Sequence, residues 1–328
     1  MQFIRPALLA TTILTASMTT AFADVRVVTS IKPVHSLVAA VMQGAGTPDL
    51  IVEGAGSPHT YALKPSQAKQ LQEADLVFWM SHDLEAFLEK SIDGIATKAV
   101  SVPLMESRGL MTLGFREGGA FDDHGHDEHD DHDEHDKDDD HDHEKHDDHD
   151  EHDHGEVDPH VWLDPENAKA MVHEIEEALA KADPANAATY ESNAEAVMAK
   201  LDSLVAEIDS ELQPVKGRGY IVFHDAYQYF ENRFGVSAIG SITVSPEVLP
   251  GAERVSDLQE KVRSLDATCV FSEPQFEPKL VATVTENTNA RTGVLDPLGA
   301  AIDKGPNLYF TLIRNMASSL KNCLLGSG

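Results

Sequence analysis

Positive charge is scarce in this chain. Against 56 aspartates and glutamates stand only 25 lysines and arginines, for a formal charge of −31 over 328 residues. A surface of that sign repels nucleic acid and anionic lipid and draws cations, which sets aside DNA or RNA binding as a function class. Long apolar runs are missing too. The N-terminal MQFIRPALLATTILTASMTTAFA is the one candidate, and it is too short and too rich in threonine for a membrane span of about 20 residues. With Arg5 as its positive start and Ala21-Phe22-Ala23 as an A-x-A cleavage site, residues 1–23 read as a secretory signal, and the mature chain is expected to begin near Asp24. No cysteine lies near that site to carry a lipid, so the expected product is a soluble bacterial periplasmic protein without membrane insertion. Cysteine is confined to Cys269 and Cys323. In an oxidising compartment an even pair points to a disulfide, and closing a loop of that length stabilises by about 4 kcal/mol in the chain-entropy account. Neither H-E-x-x-H nor a nucleophile elbow occurs, which argues against a zinc hydrolase.

What is present in excess is histidine, in one place. Residues 122–154 hold eleven histidines, nineteen acidic residues, two lysines and one glycine, with no apolar side chain. Such a segment cannot bury enough surface to offset its ordering entropy, so a solvated loop is expected. Its histidines, His124, His126, His129, His132, His135, His141, His143, His146, His149, His152 and His154, supply imidazole beside carboxylate. That donor set suits zinc, copper or nickel, whereas oxygen alone would suit calcium or magnesium. A purely solubilising charge run would not need eleven of the chain's seventeen histidines.

Along the rest of the chain, apolar runs at 25–31, 49–52 and 75–80 read as strands, and 35–42 and 64–74 as helices. The pattern restarts after residue 218: strand 220–223, helix 226–234, strand 237–242, helix 252–265, strand 269–272. Strand alternating with helix argues for parallel sheets covered on both faces, hence an α/β protein of two lobes. Between the lobes, Tyr190, Ala194, Val197, Leu201, Leu204, Val205, Ile208 and Leu212 recur at spacings of three and four until Pro214 and Gly217. They predict one amphipathic helix of roughly 25 residues, about 38 Å long, able to span both lobes and to limit hinging. The expected organisation is a signal at 1–23, an N-terminal lobe at 24–184 that includes the histidine-rich loop, an interlobe helix at 185–216 and a C-terminal lobe at 217–328.

Six histidines lie outside the loop: His35, His59, His82, His160, His173 and His224. His59 follows the Gly54-Ala55-Gly56 turn, and His224 ends a strand. Ligands in open α/β sheets bind beyond the carboxyl ends of strands, so both placements suit a site. His160 lies six residues after the last loop histidine. These spacings match no local zinc motif. A hydrolase using the three histidines with Asp225 or Glu273 as base, and a metal-storage or adhesion protein, remain alternatives at this level.

The segments TSIKPVHSLVAAVM, GAGSPHTYALKPSQAKQLQEADLVFW, DPHVWLDPENA, GYIVFHDAYQYFENRFG, PGAERVSDLQEKV, ATCVFSEPQF and LDPLG, in that order, resemble the cluster A-I periplasmic solute-binding proteins of metal ABC importers, in particular the zinc-binding branch. The resemblance covers residues 24 to 325. It implies two α/β lobes joined by one long rigid helix with the metal site in the interlobe cleft, and Zn(II) as the transported ligand. By motif it assigns ligands to His59, His160 and His224, with Asp296 of LDPLG or water as the fourth. Histidine at 224, where manganese-type members carry glutamate, favours zinc; Pro58 stands where some zinc members place an acidic ligand. His82 is a weaker candidate, and His35 and His173 are expected to be structural and exposed respectively. The implied partner is the inner-membrane ABC permease of a zinc importer, with room for a periplasmic zinc chaperone. The protein is expected to act as a monomer and not as an enzyme, with the loop as an auxiliary, weaker zinc-collecting or sensing element.

Overall fold

A computed structural model describes residues 25–116, 157–243, 246, 251–264 and 269–326. The expected signal and the eleven loop histidines lie outside the described residues. The N-terminal lobe contains β1 (Val27–Thr29), α1 (Lys32–Val41), β2 (Asp49–Leu50), α2 (Pro65–Glu73), β3 (Leu76–Trp79), α3 (Ala86–Ile95) and β4 (Val100–Pro103). Its four strands are all parallel, in the order β2-β1-β3-β4. The helices α4 (Pro165–Ala182) and α5 (Ala187–Leu212) follow. The C-terminal lobe contains β5 (Tyr220–His224), α6 (Gln228–Phe234), β6 (Ala238–Thr243), α7 (Ala252–Ser264), β7 (Cys269–Ser272), α8 (Lys279–Thr285), β8 (Arg291–Val294) and α9 (Leu308–Leu325). Its sheet, β6-β5-β7-β8, repeats the first topology in parallel.

The central strands β1, β3 and β5 are buried along their whole length, as strands covered on both faces must be. α1 is buried at all ten positions because it packs against α4, α5 and α9 as well as its own sheet. The predicted interlobe helix is α5, 26 residues long and about 39 Å at 1.5 Å per residue. Its buried stripe, Tyr190, Ala194, Val197, Leu201, Leu204, Ile208 and Leu212, meets α1 and α4 on one side and α6 and α9 on the other. Val205, counted in the sequence pattern, lies at the margin of that stripe and is only partly buried. One hydrophobic core therefore runs without a break from Val27 to Leu324, and a second, smaller cluster lies under α7 and α8. A shared core of this kind makes free hinging of the lobes costly.

The expected disulfide is present: Cys269 on β7 bonds Cys323 on α9. It ties the C-terminal helix to the sheet whose edge it flanks. Among the described residues no helix is long and apolar enough to cross a membrane.

Candidate metal centre

His59 lies in a single 3-10 turn, Pro58–Thr60, reached through the left-handed Gly54 (φ +66°). Gly56 just before it is closely approached; a Cβ there would come within 3.1 Å of Tyr61. His160 caps the 3-10 turn Val161–Leu163, and His224 is the last residue of β5. The three imidazoles come from separate segments and meet at the lobe boundary. Their ring centroids are 5.3 to 5.8 Å apart, and one donor atom of each lies within 4.8 Å of the others. Nε2 of His160 and Nε2 of His224 are 3.4 Å apart. Two nitrogens bound to one tetrahedral zinc at about 2.0–2.1 Å would be about 3.3 Å apart, so the spacing fits that ion.

Buried carboxylates orient two of the rings. Nδ1 of His160 lies 2.6 Å from Asp158 Oδ1, and Nδ1 of His224 lies 2.7 Å from Glu273 Oε1. A carboxylate only accepts, so each Nδ1 carries the proton and each Nε2 turns its lone pair toward the centre. Asp158 is held in turn by the side-chain amide of Gln228, and the Tyr229 hydroxyl donates to its carbonyl. Burial opposes the imidazolium of His224, but the bonded Glu273 carboxylate, with Asp225 and Asp158 nearby, holds that pKa above its usual value. Among the described residues His59 has no carboxylate partner of this kind. Burial, with the two neighbouring imidazoles, pushes its pKa down to about 2, so it is a neutral donor over the whole working range.

Ser57, Pro58, Trp162, Phe276, Pro297 and Leu298 close the chamber around these histidines. A larger groove between β4 and α4, lined by Val100, Val102, Glu174 and Lys181, contains no ligand cluster among the described residues.

The cluster among the described residues is His59, His160 and His224; Asp296, which the resemblance offered with water as the fourth ligand, is not one of its members. Its Oδ1 accepts from the backbone amides of Leu298 and Gly299 and from Gln275 Nε2, and its Oδ2 accepts from the amide of Ala300. Those four bonds, three to Oδ1 and one to Oδ2, hold the carboxylate to its own turn and to Gln275. The weaker candidate His82 is also outside, half-exposed beside Asp83. His35 is buried against the Pro48 carbonyl, and His173 is exposed on α4 near Glu176 and Glu177. Sequence reasoning did not name Asp158 as an orienting group, although it stands two residues before His160. It proposed Glu273 and Asp225 as candidate bases; Glu273 is bonded to His224, and Asp225 is clamped by Arg116, which also reaches Glu231.

Residues 27–323 match the family model described as ZnuA, zinc-uptake complex component A, periplasmic. The chain belongs to the ZnuA family. A high-affinity zinc uptake system protein ZnuA from Brucella abortus (strain 2308) is 57% identical over 304 residues, covering 91% of each chain. The protein of that name from Paracoccus denitrificans (strain Pd 1222) is 39% identical over 91% of each chain. Among solved structures, a crystal structure of ZnuA superposes with a TM-score of 0.74 at 24% identity, covering 92% of this chain and 99% of that one. A Mn2+ complex of the solute-binding protein FpvC from Pseudomonas aeruginosa gives 0.72 at 19% identity, covering 93% and 100%. At those identities the structural matches establish the fold, which is the ZnuA arrangement of two parallel-sheet lobes and a long helix. The ZnuA family supplies periplasmic binding components of transport systems.

Proposed function

We propose that this protein is a periplasmic receptor that captures Zn(II) through His59, His160 and His224 and delivers it to the permease of an inner-membrane ABC importer. The observation that carries the reading is the convergence of three imidazoles, two of them buried and held by carboxylates at Nδ1 and the third, His59, half-buried, with donor atoms within 4.8 Å of one another and the His160–His224 pair at 3.4 Å. Three neutral nitrogens and one open position form a four-coordinate N/O shell, which zinc accepts without geometric penalty. With Asp296 engaged elsewhere, water fills the fourth position. The importer as partner rests on family membership, and export to the periplasm on that family and on the signal-like N-terminus. The histidine-rich segment serves as an auxiliary set of weaker, exchangeable zinc sites, supplied by its eleven imidazoles and nineteen carboxylates.

Native mass spectrometry tests this on mature protein with and without residues 122–154, isolated from periplasm and washed with a mild chelator. One zinc retained in both forms, and lost on His59→Ala, His160→Ala or His224→Ala, is the expected result. Loss of all tight metal on deleting the segment would move the principal site into it and refute the assignment.

A further inference from the structure

The turn that follows Asp296 forms part of the chamber wall through Pro297 and Leu298. Its backbone is held by opposite charges from the two lobes. From the C-terminal lobe, Asp296 accepts the amides of Leu298, Gly299 and Ala300 at 3.1, 2.9 and 2.6 Å. From the N-terminal lobe, Lys32 at the start of α1 donates to the carbonyls of Gly299, Ala300 and Ile302 at 2.6, 3.1 and 2.5 Å. Lys32 is 6% exposed, and an ammonium has three protons. Three carbonyls satisfy it completely. A second tether crosses the same seam, since Nε1 of Trp162 donates to the Pro297 carbonyl at 2.9 Å, and Trp162 stands two residues after His160.

Burial pushes the Lys32 pKa down, and among the described residues Asp296, Asp303 and Glu53 offset this only from beyond ion-pair range, so the buried ammonium would be costly if its only task were packing. Its use here is directional: it grips carbonyls of the same turn whose amides Asp296 grips. We propose that Lys32 and Asp296 are positioning residues for metal retention, an opposed pair that locks the 297–302 turn across the lobe seam and keeps the wall of the chamber shut over the ion, and that Asp296 is not a ligand. The inference rests on the reading that His59, His160 and His224 hold the ion. Releasing either end of the clamp lets the wall open and shortens the lifetime of bound metal, while the atoms that touch the metal stay the same.

The full mature chain, washed with a weak chelator and loaded with one equivalent of cobalt(II), supplies two readouts. The visible d–d spectrum reports the ligand set, and release into excess strong chelator reports retention. Asp296→Asn is nearly isosteric, and Lys32→Met removes the charge from the opposite lobe without touching Asp296. Near-UV circular dichroism identifies folded samples. Both variants are expected to release cobalt and zinc at least tenfold faster than the parent, with the parent's cobalt spectrum unchanged. A changed spectrum in Asp296→Asn would make that residue a ligand and overturn the proposal, as would a parental release rate in folded Lys32→Met. His59→Ala separates the two levels. If it alters the spectrum, the three-histidine centre stands whatever the clamp variants do; if it does not, that centre falls and the clamp with it.

Discussion

Replacing Asp158 with asparagine probes the centre without touching a ligand. The carboxylate is fully buried, and its Oδ1 serves both Nδ1 of His160, at 2.6 Å, and the His160 amide, at 3.0 Å. Its Oδ2 accepts from Gln228 Nε2 at 2.6 Å, and that same Nε2 also reaches the Gly114 carbonyl. Asparagine keeps the shape and can still accept from His160 with its one oxygen, but its amino group then faces the amino group of Gln228. The charge that makes His160 a better donor to metal is gone as well. Outer partners of metal-bound histidines are worth roughly 10–100-fold in affinity, or about 1.4–2.7 kcal/mol. Competition against a fluorescent chelator at fixed pH, following the tightest equivalent only, is expected to show a loss in that range. Asp158→Ala should lose more, because it leaves two buried N–H groups of His160 without an acceptor. Affinity within twofold of the parent in folded Asp158→Asn would refute the claim that this carboxylate tunes the site.

Cys269→Ser paired with Cys323→Ser opens a loop 54 residues long, and the chain-entropy account gives a loss of about 4 kcal/mol, read as a lower urea midpoint with the zinc centre intact. Unchanged stability would show that the sheet and α9 hold the C-terminus unaided. The metal-free protein should also show a pH dependence set by Glu85, which is buried, accepts from the amides of Met80 and Ser81, and is pushed up to about 7 mainly by burial. Between the unfolded value of about 4.5 and 7 the native state holds a proton that the unfolded state lacks, so stability falls as pH rises through that window, by about 3 kcal/mol. His59 acts in the opposite sense: its folded value near 2 lies below the unfolded 6.5, so its contribution is lost as pH falls below 6.5. Urea titrations of metal-free Glu85→Gln and parent between pH 4.5 and 8 isolate the first effect, and identical slopes would contradict it.

Elements with an unbroken apolar run were legible in advance: β7 matches residue for residue, and β1, β3 and β5 differ only at their ends. The strands β4 and β8 were not anticipated. Both are sheet edges, and their patterns are largely exposed, with Val100 and Val294 more than half open to solvent. With so few buried positions, these two strands leave little apolar periodicity to read. Of α4 only the exposed helix face carrying His173 was legible, although Asp164 before Pro165 is a plain N-cap signal and its side chain does accept from the amide of Glu166.

By itself the sequence determined the local matters: two alternating strand and helix patterns, a helix long enough to join them, a cysteine pair for an oxidising compartment, and histidines placed just past strands or in turns. These follow from short-range periodicity and from side-chain chemistry that does not depend on neighbours. Only the tertiary structure decided which groups meet. It brings His160 to His224 across 64 residues and Glu273 to His224 across 49. It also folds the turn after Asp296 back onto that carboxylate, with Lys32 arriving on the other side of the turn from 267 residues away. A carboxylate's role depends on which donors stand within 3 Å of its oxygens, and that distance is set by the packing of two lobes around one shared core.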